Sequence, residues 1–391
     1  MNTTNGNFQT PRQLLPRQVY FEPDWFEREC GELFNRSWIF ACIETEISEN
    51  GDFHSFRYMN HSLFVVRDHS GQLQAFHNIC RHRGCEVLEG SGNTGQAVVC
   101  PYHHWTYELD GVLRGISNEK PCFDNIDRAR LNLKPAAVGV FHGIVFVNPN
   151  PQPKDDFSAW IANLSDYDWP HRFDDGTLEP RGEITYEMKC NWKVFYENAI
   201  DGYHLGYLHD RTLGELYPDR NVWKSAGRNV VWYSTQREGE PQSNSLLSAE
   251  LAEGAGAVRL TGHENAFYPG VVMLFPLTIL SPSPWGFYIS ILEPIGPELT
   301  NMRTLSWAPS GSPGLSQMGK PSTVVRLEDL NTHPLETGNF QIEDMWIVEK
   351  IQRNLRSPDF EVGPLAKGDG AEGPLMHFQE QILEFVPAKT V

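Results

Sequence analysis

Apolar and polar positions change rhythm several times along this chain, and each change marks an element. From Trp38 to about Asn148 they alternate in short runs, HSLFVVRD and LQAFHN among them, broken by Gly, Asn and Asp turns such as HSGQ. Period-two alternation between turn residues predicts antiparallel strands. VGVFHGIVFV predicts a strand pair split at Gly143, and NPNPQPKDD after it reads as a linker. A short helix is expected around Asp24 to Arg36, ahead of this region. Beyond the linker, DDFSAWIANL reads as helix, EITYEMKC as strand and NWKVFYENAIDGYHLGYLH as helix. NVVWYSTQ, GVVMLFPLTIL, FYISILEP and NMRTLSWA read as strands, and FQIEDMWIVEKIQRNLR as a long helix. No internal repeat emerges. The pattern predicts a small β domain followed by a larger α+β domain.

Composition narrows the class. The 391 residues allow two or three domains, and 40% hydrophobic residues suit a packed globular protein. The longest apolar runs, such as Gly270 to Leu280, stop near about eleven residues, too short to span a bilayer. The polar start, MNTTNGNFQTPRQLLPRQVYF, lacks the apolar core of a signal peptide, so a soluble cytoplasmic protein is expected. A formal charge of -18 argues against nucleic acid, whose phosphates need a basic surface, and weakens steering of anionic substrates. Seven cysteines, an odd number unevenly spread, suit reduced thiols and metal ligation better than a disulfide framework.

The candidate chemistry sits in two constellations. The first is C-R-H-R-G-C from Cys80 and C-P-Y-H-H-W from Cys100. Cys80 and His82, then Cys100 and His103, form tight pairs that can each aim two ligands. Thiolates with imidazoles suit zinc or an iron–sulfur centre. A zinc knuckle more usually reads CxxC, whereas C-x-H with C-x-x-H is the pattern of a Rieske [2Fe–2S] centre. Cys85 is then a small buried residue, and His104 a loop residue beside Trp105. The glycine-rich GSGNTG and GAGA stretches lack the strand–turn–helix setting of a nucleotide site and read as loops.

The run VVRDHSGQLQAFHNICRHRGC with CPYHHWTYELDG resembles the Rieske domain of Rieske non-haem iron oxygenase large (α) subunits. That family usually has glycine where this chain has His104. The resemblance implies that Cys80 and Cys100 bind one iron and that His82 and His103 bind the other.

The second constellation lies in YENAIDGYHLGYLH. Asp201 and His204 are neighbours on one helical face. His209 comes five residues after His204, about 140° round an ideal helix, so sharing one metal requires the helix to loosen or end near Gly206. Two histidines and a carboxylate form the facial triad of non-haem Fe(II) enzymes. Asp201 can be the third ligand or fix a histidine tautomer from outside. In the late helix, Ile347, Val348, Ile351 and Leu355 form an apolar face with Asp344 at its centre, Glu343 one step off, and Glu349 on the polar side. A carboxylate on a buried face needs a partner, and a metal is one.

N-W-K-x-x-x-E-N with D-G-Y-H-x4-H, and E-D-M-W-I-V-E-K-I-Q, resemble the mononuclear iron site of the same family. The resemblance implies His204, His209 and Asp344 as iron ligands, and Asp201 as the aspartate that bridges to a Rieske histidine of a neighbouring subunit. It implies residues 1–37 as an arm packing on the catalytic domain, 38–150 as the all-β Rieske domain, and 151–391 as a helix-grip (START-like) catalytic domain. It further implies one [2Fe–2S] cluster and one mononuclear Fe(II) per chain, O2 and a small organic substrate. The partners implied are a reductase with or without a ferredoxin, and a trimer with or without a small β subunit. Neither nucleic acid nor membrane is expected. The function expected is hydroxylation of an aromatic substrate in aromatic hydrocarbon catabolism, because Asp201 and Gly202 stand where quaternary-ammonium oxygenases tend to carry Glu and Cys. The alternatives are oxidative demethylation of a betaine-type compound, a Rieske electron carrier without oxygenase chemistry, and a zinc-stapled binding module. Phe195, Phe267, Tyr268, Trp285 and Phe287 can line an apolar pocket or cage a cation, or pack in the core.

Overall fold

The computed structural model describes residues 13–167, 169, 171–213, 220–235, 271–283, 286–309, 323–367 and 372–388. The chain forms two compact units, one of Cys30–Ala162 with His171–Glu179, the other of Met1–Glu29, Asn163–Pro170 and Pro180–Val391. Among the described residues, no helix is long and apolar enough to cross a membrane.

The first unit is built on strands. They are β1 (Ile39–Ile43), β2 (Asp52–Tyr58), β3 (His61–Arg67), β4 (Leu73–His77), β5 (Ser91–Asn93), β6 (Val98–Val99), β7 (Thr106–Tyr107), β8 (Leu113–Gly115), β9 (Pro135–Phe141) and β10 (Ile144–Asn148). Seven of them pair in the order β1-β10-β9-β4-β3-β2-β5, and β6-β7-β8 form a separate small sheet. The expected strand pair at Gly143 forms as β9 and β10, with Phe141 opposite Ile144. Between them His142 and Gly143 both take positive φ, 49° and 80°, the two-residue turn whose twist matches that of the strands. The stretch GSGNTG is no simple loop, because its Ser91–Asn93 pairs along the edge of β2. Apolar side chains of both sheets, Phe64, Val66, Phe76, Val98, Trp105 and Tyr107 among them, close one core.

The second unit sets helices with an eight-stranded sheet. Its strands are β11 (Leu178–Met188), β12 (Arg220–Ala226), β13 (Asn229–Thr235), β14 (Val271–Leu274), β15 (Thr278–Ser283), β16 (Gly286–Gly296), β17 (Leu299–Pro309) and β18 (Thr323–Val325). They take the order β12-β13-β14-β15-β16-β17-β11-β18. Pairing is antiparallel from β12 through β17, whereas β18 joins β11 in parallel. Phe195 and Phe287 are core residues, and Phe287 stacks on Trp169. Phe267, Tyr268 and Trp285 lie outside the described residues.

Seven helices appear along the described chain: α1 (Pro23–Arg28), α2 (Glu119–Cys122), α3 (Phe157–Ile161), α4 (Trp192–Ala199), α5 (Leu205–Leu208), α6 (Phe340–Leu355) and α7 (Gly373–Phe385). The helix expected at 24–36 is broken into α1, a π turn at Glu29–Leu33 and a 3-10 turn at Phe34–Arg36. The buried face of α6 is rotated from the expected one. Ile351 is 42% exposed, while Glu343, Asp344 and Glu349 are buried beside Met345 and Val348. Polar partners explain the shift: Glu349, for instance, accepts the backbone N–H of Lys189 at 3.0 Å.

Charge inside the second unit fixes α4. Glu29 and Lys193 are both fully buried, with Nζ 2.6 Å from Oε1. The indole N–H groups of Trp25 and Trp192 each donate to the Glu29 carboxylate at 3.0 Å. One turn further along α4, Glu197 Oε1 accepts from the Tyr20 hydroxyl and the Gln379 amide, each at 2.8 Å. The Gln379 carbonyl in turn accepts from the backbone N–H of Leu14 at 2.6 Å. Residues 14–29, α4 and α7 are therefore tied together by hydrogen bonds that leave the buried charges paired.

Both buried acids can be tested by unfolding. Glu29→Ala strands the Lys193 ammonium and is expected to cost about 3 to 5 kcal/mol, most of it recovered in Glu29→Leu/Lys193→Met; denaturant midpoints of the catalytic unit check this. Burial pushes the Glu197 carboxyl up to about 7 from an ordinary 4.5, against the pull of Gln379, Tyr20 and Lys193. Between those values the native state binds more protons than the unfolded one, so stability falls as pH rises through that window. Glu197→Gln is expected to be the more stable protein above pH 7, the two curves converging as pH falls towards 4.5.

Candidate active site

Helix α4 begins at Asn191, whose side chain accepts the Lys193 N–H at 3.0 Å, the usual role of Asn ahead of a first turn. It stops at Ala199, five residues before the first histidine. The break expected near Gly206 thus falls earlier, over Ile200–Tyr203, and Asp201 is not helical. Asp201 shapes the bend itself, its Oδ1 accepting the Tyr203 N–H at 2.7 Å. The chain then makes the single turn α5, with His204 and His209 as its flanking residues. His209 leaves helical geometry at φ -105° and ψ 27°. The angle of an ideal helix no longer separates the rings, and their Nε2 atoms stand 3.2 Å apart.

Asp344 on α6 completes the cluster. Its Oδ1 lies 3.0 Å from His209 Nε2 and 3.7 Å from His204 Nε2. The far side of each ring is held by a carboxylate. His204 Nδ1 meets Asp201 Oδ2 at 3.2 Å, and His209 Nδ1 meets Glu343 Oε2 at 2.6 Å. An ionised carboxylate only accepts, so both Nδ1 atoms carry a proton and both Nε2 atoms face inward. Thr212 donates to Glu343 at 2.7 Å, and Asn198 donates to Asp344 Oδ1 at 2.9 Å. His209 and Glu343 are 1% and 2% exposed, so little water screens the cluster.

Two inward ring nitrogens and a carboxylate across this gap need a proton or a metal ion among them. Burial alone would lower the His204 pKa, yet Asp201 and Asp344 hold it up to about 9. Burial likewise raises Asp344, but the two histidines hold it down at about 2. The donor set, two imidazoles and one carboxylate with both outer nitrogens anchored, fits ferrous iron with positions left open.

The four early residues come together differently. Cys80 and Cys100 are both buried in the one core cluster of this unit. His82 Nδ1 and His103 Nδ1 face each other at 3.2 Å. The His82 ring stacks on Trp105 at 4.8 Å, and Tyr102 covers His103 at 3.7 Å. Among the described residues, His204, His209 and Asp344 are the group whose ligand atoms gather within 4.8 Å of one another for a single ion. Separate sulfur and nitrogen pairs fit a two-iron cluster.

Gly84 turns the first ligand loop at φ 75°, and His104 turns the second at φ 53°. The histidine thus occupies a left-handed position that glycine fills most readily. Cys85 is half-buried rather than buried, its thiol donating to the Glu86 carbonyl. The sequence alone places Glu343 one step off the buried face and gives Asn198 no role. The available signal for Glu343 is an acid adjacent to another acid on a helix whose polar face is already supplied.

A unit that stores one electron between paired loops and a second unit that offers a two-histidine, one-carboxylate metal centre define a class: the Rieske terminal oxygenase. Family models agree, a Rieske [2Fe-2S] domain matching residues 37–133 and the ring hydroxylating alpha subunit (catalytic domain) matching residues 175–388. The chain belongs to the family of ring-hydroxylating Rieske oxygenase alpha subunits. It is an oxidoreductase whose cofactors are a [2Fe–2S] cluster and a mononuclear iron, and the family uses O2, an organic substrate and a reductase. The glycine betaine monooxygenase oxygenase subunit of Chromohalobacter salexigens is 27% identical over 382 residues, covering 90% of this chain and 82% of its own. The anthranilate 1,2-dioxygenase large subunit of Acinetobacter baylyi is 30% identical over 198 residues, covering 50% of this chain and 42% of its own. The quaternary ammonium Rieske monooxygenase CntA in complex with L-carnitine has the same fold, at a TM-score of 0.71 and 20% identity over 97% of each chain.

Proposed function

We propose that this chain is the oxygenase component of a monooxygenase acting on a small quaternary ammonium compound. In this reading His204, His209 and Asp344 hold the mononuclear iron, and Cys80, His82, Cys100 and His103 hold the cluster. One observation carries the substrate class: the glycine betaine relative matches across 90% of this chain, whereas the anthranilate match stops at 50%. The expectation of aromatic hydrocarbon catabolism is withdrawn on the same ground. A second reading, oxidation of an aromatic acid, keeps one specific support, the Asp201–Gly202 pair before Tyr203 and His204.

When bound, the mononuclear iron activates O2 with electrons supplied through the Rieske cluster by an external reductase. The chain's own residues hold and orient. Asp201 and Glu343 keep the Nδ1 protons of His204 and His209 in place, so each ring turns its Nε2 to where the metal would replace a proton. Asn198 fixes the Asp344 carboxylate by its Oδ1. Asp201, already on His204 and with its side chain 18% exposed, is the residue suited to meet a Rieske histidine of a neighbouring protomer. That role implies a closed head-to-tail ring, a trimer in our reading. It also divides the labour at residues 38–150 for electron relay and 151–391 for catalysis, with 1–37 as a packing arm.

Hydroxylation of an N-methyl carbon gives an N–CH2OH group, which releases formaldehyde, a proton and the tertiary amine. With NADH, a surrogate reductase and air, O2 uptake is expected to be matched by formaldehyde from glycine betaine, choline or carnitine. Uptake coupled to anthranilate alone, with no formaldehyde from any ammonium compound, selects the second reading instead. For the ligands, Asp344→Ala is expected to stay red-brown while its iron falls from about three to about two per two acid-labile sulfides, with turnover lost. Glu343→Gln is expected to weaken ferrous iron binding about 10- to 100-fold and spare the cluster. Retention of the third iron and of turnover in Asp344→Ala removes Asp344 from the ligand set.

A further inference from the structure

Few buried side-chain oxygens and nitrogens among the described residues lack a hydrogen-bond partner, and one of them belongs to the helix that carries Asp344. It is Gln341 Oε1. The start of α6 fixes this residue: Asn339, ahead of the first turn, accepts the Gln341 N–H on its side-chain oxygen at 3.0 Å. Gln341 precedes Asp344 by three residues, so the two side chains share one helical face. Its neighbour Phe340 stands edge-on to the His209 ring, with 6.3 Å between centroids. The orphaned carbonyl is thus one helical turn from the Asp344 carboxylate, near an aromatic ring and shielded from water. An amide oxygen left bare in such a place is unfavourable until something pairs with it.

We propose that Gln341 is a specificity-determining residue of the mononuclear site, whose side-chain carbonyl accepts a hydrogen bond from an O–H or N–H of the substrate. The inference deepens the reading that a quaternary ammonium compound is oxidised beside His204, His209 and Asp344, and it rests on that reading. A carbonyl oxygen has no hydrogen to give, so it selects for a donor. A quaternary nitrogen carries no hydrogen, and the donor must therefore be a hydroxyl elsewhere on the molecule. Choline and carnitine each supply one. Glycine betaine, ionised at neutral pH, supplies none and leaves the oxygen bare. A site built around such an acceptor rejects the analogue that lacks the donor, because the buried oxygen then stays unpaired in the complex. Gln341 neither binds the metal nor moves a proton; it decides which ammonium compound is held.

Two pairs of compounds isolate the contact: choline with n-propyltrimethylammonium, and carnitine with γ-butyrobetaine. Within each pair only the hydroxyl changes, to a methyl in the first and to hydrogen in the second. With NADH and the surrogate reductase, the wild-type holoenzyme is expected to favour the hydroxyl compound about tenfold in kcat/KM, the scale of one hydrogen bond. In Gln341→Leu that preference is expected to vanish. The variant should keep its mononuclear iron, and its denaturant midpoint should hold or rise, because the oxygen it loses has no partner in the free protein. A preference that is the same in both proteins overturns the inference, as does turnover confined to compounds without a donor. Loss of the iron or a markedly lower midpoint in Gln341→Leu also overturns it, by making the side chain a structural prop. Formaldehyde release tests the substrate class separately. If anthranilate alone is oxidised, the quaternary ammonium reading fails, and Gln341 is still judged by whether the advantage of anthranilate over benzoate, which lacks the amine, disappears in Gln341→Leu.

Discussion

Three inward-facing atoms organise the second unit. His204 Nε2 and His209 Nε2, five residues apart, and Asp344 Oδ1, 135 residues beyond His209, converge within 4.8 Å. Bare lone pairs at that spacing repel, and a proton or a metal ion must sit among them. The surrounding structure is organised to keep them there. Asp201 and Glu343 hold the rings from behind, Asn198 pins the carboxylate, and helix α6 presents acids where an ordinary amphipathic helix would present leucines. Each of these groups is polar in a place that excludes water, and each has a partner. The site is therefore an interlocked set in which removing one member leaves another unsatisfied.

The cluster loops in the first unit obey a different logic. Two buried sulfurs and two imidazoles set edge to face form separate pairs, the arrangement that suits a two-iron cluster with ligands at two ends. Gly84 and a left-handed His104 let each loop double back. Core aromatics then seal the sulfur end, which leaves the histidine end as the more accessible edge: His103 is half-buried where Cys100 is 1% exposed.

Much of this is legible in the sequence because ligand spacing is local. C-x-H, C-x-x-H and the D-x-x-H-x4-H run name their residues without any tertiary information, and the alternating strands mark both sheets. The illegible part depends on contacts between distant segments. The rotated face of α6 is an example. Hydropathy places Ile351 inside and Glu349 outside, but Glu349 is drawn in by the backbone of Lys189, a partner 160 residues away. The end of α4 is another. Gly206 is the obvious breaker, yet the chain leaves the helix earlier, where the Asp201 side chain captures a backbone N–H. The substrate is harder still to read, since residues 236–270 and 310–322 lie outside the described structure.

Adjacent residues of α4 look in opposite directions. Glu197 reaches back to Tyr20 and Gln379, and Asn198 reaches forward to Asp344. The helix thus works as a short lever between the chain's opening segment and the Asp344 carboxylate. Trimming or tagging that disturbs residues 14–29 is consequently not a silent cloning choice. A shortened protein could keep its colour, since the cluster belongs to the other unit, and still lose the geometry on which oxygen chemistry relies.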